Sequence, residues 1–92
     1  MSTEQRLDLI ITGRVQGVGF RYSAKNKADS LGINGHVRNQ SDGSVFVTAQ
    51  GEKAAINIFV QWCHQGPTAA IVHAIEKVPR TPDNFIKFDI IF

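Results

Sequence analysis

Two observations predict an α+β sandwich in which both helices pack on one face of an antiparallel sheet. The first is the order of hydrophobic periodicities along the 92 residues: strand, helix, strand, hairpin, strand, helix, strand. The second is an Asp-Gly pair, Asp42-Gly43, between the second and third strand-like runs, among the strongest local signals for a hairpin. Two split βαβ units joined in this way form the ferredoxin-like arrangement. A chain of this length makes one domain, residues 1–92, that buries somewhat over about 60% of its unfolded surface around one modest core.

Each element has its own signal. Leu7, Leu9 and Ile11 alternate with Asp8, Ile10 and Thr12, the period of a strand with one apolar face. From Phe20 the period changes: Phe20, Ala24, Ala28 and Leu31 recur at helical spacing, with Lys25, Asn26, Lys27 and Asp29 on the remaining surface. Gly32 is placed to stop that helix as a C-cap residue, and Ile33 to pack back on it. Lys25 and Asp29 stand four apart, so the lysine is expected to pair with the aspartate rather than with a ligand. Residues 35–40 read as the second strand, 41–43 as the turn, and 44–50 as the third strand, with Val45, Val47 and Ala49 on one face. Residues 52–65 form a second helix whose stripe is Ile56, Phe59, Val60 and Cys63, flanked by Trp62, and Gly66-Pro67 ends it. Residues 70–78 read as a fourth strand, 79–84 as a loop with two prolines, and 85–92 as a last strand whose aromatic residues pack on the sheet.

Composition excludes several functions. The formal charge is only +2, and the ten Lys and Arg residues are scattered, whereas a nucleic-acid surface needs clustered cations with interleaved aromatics. An RNA-binding sheet of this topology would expose aromatics on its central strands, and the third strand offers only Phe46 outside its apolar face. The first six residues are polar, and no apolar run approaches the roughly 20 residues of a membrane span. One cysteine, Cys63, builds no disulfide framework, which points to a reducing compartment and a cytoplasmic protein. Cys63 lies on the apolar stripe of its helix and is read as a core residue.

The stretch that a core or an ordinary loop explains least is residues 13–21, Gly-Arg-Val-Gln-Gly-Val-Gly-Phe-Arg, between the first strand and the first helix. Gly17 and Gly19 permit positive φ and close approach of the backbone to a ligand. The helix that follows opens with unpaired N–H groups and the positive end of its dipole, a ready anion site. Arg21, in the first turn, adds a guanidinium fork matched to two phosphate oxygens, although a cation at that position opposes the dipole. Neither the Lys-Ser/Thr pair of a P-loop nor the G-x-G-x-x-G fingerprint is present. Spacing alone leaves both an anion site and a tight structural turn open.

Residues 13–21 resemble the signature loop of the acylphosphatases. A second motif of that family is matched by Gly35, His36, Val37, Arg38 and Asn39, followed by Gly43, Val45 and Gly51, and the resemblance covers nearly the whole chain. His36 departs from the pattern, standing where the family usually has an aromatic residue. The resemblance implies the ferredoxin-like fold with the last strand added at an edge. It also implies phosphate binding by Arg21 and the backbone N–H groups of Gln16, Gly17, Val18, Gly19 and Phe20, and a water-positioning role for Asn39. It further implies that a substrate oxygen takes the water's proton, with no metal, cofactor or phospho-enzyme.

The residues are consistent with that chemistry. His36, His64 and His73 have no second ligand at metal spacing, no Asp or Glu belongs to either motif, and Cys63 lacks the arginine of a cysteine-phosphatase loop. What remains is an electrostatic cradle plus a neutral amide, which suits in-line phosphoryl transfer from a substrate whose leaving group needs no general acid. A carboxylate, whose acid has a pKa around 4, is such a group. In a split βαβ unit strands one and two run the same way with strand three between them, so loop and Asn39 should lie at one end of the sheet, about 9 to 10 Å apart. The expected substrate is a small acyl phosphate, with inorganic phosphate or sulfate as competing anions and the chain acting as a monomer. The alternative is a non-catalytic phosphate- or acyl-phosphate-binding module.

Overall fold

The computed structural model describes residues 4–92. Along the chain they form β1 (Glu4–Arg14), α1 (Phe20–Leu31), β2 (Asn34–Asn39), β3 (Val45–Glu52), α2 (Lys53–Gln65), β4 (Ile71–Arg80) and β5 (Phe88–Ile91). The strands make one sheet in the order β4-β1-β3-β2-β5. The ferredoxin-like topology and the added edge strand both agree with the sequence. Of the polar stretch at residues 1–6, residues 1–3 lie outside the described residues, and Glu4 already belongs to β1.

Both helices end where their caps require. Gly32 adopts the left-handed conformation, with the Ile33 N–H donating to the Ala28 carbonyl and the Gly32 N–H to Asp29, which stops α1 in a Schellman-type turn. The helix-facing side of the sheet carries Leu9, Ile11, Val37, Val45, Val47 and Ala49, all fully buried. Against them pack Phe20, Ala24 and Ala28 of α1 and Ile56, Phe59 and Cys63 of α2. Each large side chain so buried contributes about 1.5 to 3 kcal/mol, and Phe20, Val37 and Val45 anchor both motifs in the core that holds the two layers together. Burial raises the pKa of the Cys63 thiol far above its ordinary value, in keeping with a core role.

Element boundaries shift from the sequence reading by one to three residues, and two of the shifts have a clear physical cause. Pro79 lies inside β4, opposite Leu7, rather than in a loop. Because β4 is an edge strand, a proline can sit there with its missing N–H on the unpaired side. The last strand begins at Phe88 instead of residue 85, and its pairing with β2 is parallel, so the sheet is mixed. The cause is geometric: β4 ends at the edge of the sheet where Arg80 faces Arg6, and the chain crosses to the opposite edge before it can turn along β2. Residues 81–87 make that crossing over the face away from the helices. Gln50 ties them down, donating to the Asp83 carbonyl and accepting from the Asp83 N–H, and Asn34 donates to Phe85.

The face away from the helices carries a polar and aromatic layer. Asp8, 5% exposed, accepts from Thr48 at 2.9 Å and from Arg6 and Arg80 at 3.4 and 3.3 Å. His36 stacks on Phe46 with ring centroids 6.2 Å apart and meets Phe85 edge-on at 5.9 Å. It therefore fills an aromatic position as a neutral ring, and Phe46, also covered by Arg38 at 4.7 Å, is no free platform for a base.

His36 pays for this placement with a buried Nδ1 that has no hydrogen-bond partner among the described residues. Desolvation, then the charge of Arg38, lowers its pKa below 6.5, with Arg6 acting in the same sense and Asp8 and Asp89 opposing. The unfolded chain thus binds more protons than the folded one as pH falls through 6.5, so this group's contribution to stability is present above that value and is lost below it. Urea unfolding of wild type and His36→Phe between about pH 7.5 and pH 5.5 checks this. The variant should gain on the wild type as the solution is acidified. Parallel pH profiles would mean that His36 titrates alike in both states.

Candidate active site

The candidate site forms where β1 leaves the sheet. Its register against β4 shifts between Thr12 and Gly13, Val15 turns into the core, and residues 16–19 run to the start of α1. Gly17 and Gly19 take φ of 73° and 79°, a region that costs any other residue about 1 to 2 kcal/mol. Gly19 is the N-cap of α1 and supplies no side-chain cap. The first intrahelical bond there runs from the Ser23 N–H to the Gly19 carbonyl at 3.1 Å. The N–H groups of Phe20, Arg21 and Tyr22 therefore head the helix with no acceptor inside it, at the positive end of its dipole.

Strand register brings Asn39 to the same place. Val45 of β3 faces Ile11 of β1 on one side and Asn39 of β2 on the other. Two strand spacings of about 4.8 Å separate Ile11, near the end of β1, from Asn39. The loop is also tied to the β2–β3 hairpin by one side chain. Gln16 Nε2 donates to the carbonyls of Gln40 at 2.7 Å and Ser44 at 2.9 Å. The turn it grips is set by Asp42, whose Oδ1 accepts from the Ser44 N–H and hydroxyl, bonds that lower its pKa.

Between loop and hairpin lies a cavity of about 130 Å³, lined by Val15, Gly17, Gly19, Phe20, Arg21, Tyr22 and Asn39. Arg21 and Asn39, chosen from the sequence as the two chemical side chains, thus share one small cavity. The loop residues divide. Gly17, Gly19 and Phe20 line the cavity, and since the Phe20 ring is in the core, backbone is what this residue offers. The Val18 side chain packs half-buried against the core, and the Gln16 side chain braces the hairpin. Sequence reasoning missed Tyr22 and Phe92. Tyr22 is 60% exposed on the cavity wall, and its only signal was a position off the apolar stripe of α1. The expectation that the aromatic tail packs on the sheet holds for Phe85 and Phe88 and fails for Phe92. Pairing of β5 ends at Ile91, and the Phe92 ring lies 5.0 Å from the Arg21 guanidinium carbon.

A family model for acylphosphatase matches residues 7–90, which includes both halves of this cavity. The chain belongs to the acylphosphatase family. An acylphosphatase of a Nocardioides species is 43% identical over 84 residues, covering 91% of this chain and 85% of that one. The crystal structure of acylphosphatase from Bacillus subtilis superposes with a TM-score of 0.93 at 34% identity, over 96% of this chain and 99% of that one. The acylphosphatase structure from Coxiella burnetii gives 0.92 at 33% identity, over 96% and 93%. The chain is accordingly a hydrolase that cleaves acyl phosphates to carboxylate and inorganic phosphate.

The Gln16 brace has a measurable energy. Gln16→Ala removes two hydrogen bonds, but the Gln40 and Ser44 carbonyls keep the Gly43 and Gln40 N–H groups as donors. The expected loss is therefore modest, about 1 to 2 kcal/mol in urea unfolding. An unchanged midpoint would show that the loop holds its place without this side chain.

Proposed function

We propose that the acylphosphatase reaction of this chain is carried out by Arg21 and Asn39 across the shared cavity, without a metal. The observation that carries the proposal is the meeting of an uncapped helix N-terminus, a guanidinium and a neutral amide in a space of about 130 Å³. The backbone N–H groups of residues 16–20 and the Arg21 fork hold the phosphoryl oxygens, making a phosphate-binding loop. Their charge is preorganised and stabilises the loose transition state of phosphoryl transfer. Asn39 orients a water in line with the departing carboxylate, and its amide neither adds charge nor titrates. Water attacks phosphorus, the P–O bond to the acyl group breaks, its electron pair leaves with the carboxylate, and a phosphoryl oxygen takes the water's proton.

The leaving group explains why so few side chains suffice. A carboxylate with a conjugate-acid pKa around 4 departs without a general acid. Among the described residues no three His, Cys, Asp or Glu side chains converge as a metal site, and no step of the proposal runs through one. Inorganic phosphate and sulfate compete for the same cradle. A cytoplasmic monomer completes the proposal, supported by the single buried cysteine; none of the described helices is long and apolar enough to cross a membrane.

Hydrolysis of benzoyl phosphate, with EDTA present throughout, separates the roles. Arg21→Ala should lose about 2 to 4 kcal/mol of transition-state stabilisation and should weaken inorganic phosphate binding in parallel. Asn39→Ala should abolish turnover while phosphate binding stays close to wild type. Phosphate binding that survived the loss of Arg21 would mean that the cradle lies elsewhere, and wild-type activity lost on chelation would bring a metal into the reaction.

A further inference from the structure

We propose that Phe92 is a positioning residue for this site, its ring holding the Arg21 guanidinium at the cavity through a cation–π contact. The inference rests on the role given to Arg21 above. The guanidinium carbon lies 5.0 Å from the ring centroid, within the range of such contacts. Among the described residues the Arg21 side chain makes no hydrogen bond or ion pair, so the ring is the protein's hold on its charged end. Phe92 is 88% exposed, and burial in the core therefore does not account for an aromatic side chain there.

A second observation shows how Phe92 is brought to Arg21. Lys25 Nζ donates to the Phe88 carbonyl at 2.9 Å and to Asp29 at 3.0 Å, clamping β5 along α1. Strand and helix run in opposite directions at this contact. Four residues back along the helix from Lys25 is Arg21, one turn away on the same face. Four residues on from Phe88 is Phe92, just beyond the end of β5. The lysine clamp thereby holds β5 beside α1, at the end of which the Phe92 ring meets Arg21.

The chemistry favours a ring over an acidic partner. An arginine in the first turn of a helix is opposed by the helix dipole, so its charged end needs a local attraction to stay at the cavity. A carboxylate would supply one but would occupy the N–H fork and repel an anionic substrate. A π face takes the plane of the guanidinium and leaves its in-plane N–H groups directed at phosphoryl oxygens.

Phe92→Leu, which keeps apolar bulk and removes the π face, and Phe92→Trp, which restores one, test the inference. Inorganic phosphate is titrated into each protein, with thermal melts and the NMR signal of the Arg21 Nε–H recorded alongside. The leucine variant should bind phosphate about two- to fivefold more weakly than wild type, with an unchanged melting temperature. Its Arg21 Nε–H signal should lose the ring-current displacement, and the tryptophan variant should recover the affinity. Phosphate binding by Phe92→Leu equal to wild type would overturn the inference. So would a tryptophan variant as weak as the leucine one. Wild-type turnover of benzoyl phosphate, measured separately, tests the reaction itself. The expected order of phosphate affinities without turnover would leave the ring contact standing and remove the catalytic assignment.

Discussion

The position of Val45 in the sheet is the constraint on which the site depends. It faces Ile11 on one side and Asn39 on the other, so a single register fixes both where the loop departs and where the amide stands. That register is held by the core. Val45, Val47 and Ala49 face the helices while Phe46, Thr48 and Gln50 face the other way, and slipping β3 by one residue would exchange the two sets. Two polar side chains would then enter an apolar core without partners. Apolar packing thus sets the separation of two polar groups that it never touches.

Charge is distributed unevenly over this scaffold. Away from the cavity, Arg6 and Arg80 share the buried carboxylate of Asp8, and, one helical turn from Arg21, Lys25 pairs with Asp29. At the cavity, Arg21 has an aromatic neighbour and no acidic one among the described residues. The helix dipole adds to the same excess of positive potential. Pairing Arg6, Lys25 and Arg80 within the fold while Arg21 faces the cavity without an acidic partner leaves positive potential at that end of the sheet.

Much of this was legible in the sequence because its signals are local. Gly19 before Phe20 and Gly32 after Leu31 bracket α1 as caps do, and Asp42-Gly43 marks the hairpin. Arg21 and Asn39 stood out because they sit in motifs that packing does not explain. What escaped depended on residues distant in the chain. Pro79 is tolerated in β4 only because that strand ends up at an edge. The parallel pairing of β5 follows from a crossing that no local pattern announces. Gln16 grips carbonyls 24 and 28 residues away, and Phe92 meets Arg21 from the far end of the chain.

The crossing segment also bears on how the chain assembles. The β2–β3 hairpin and the two helices are made of near neighbours, whereas Asn34 meets Phe85 across 51 positions and Thr12 meets Ala74 across 62. Closing such long loops costs chain entropy before any contact repays it, which places both sheet edges late in folding. The hairpin that carries Asn39 is then built early, and β5, which leads into Phe92, docks late. A nascent chain would then form the Asn39 hairpin and the glycine loop before the Phe92 ring reached Arg21, so that this contact becomes a mark of completed folding.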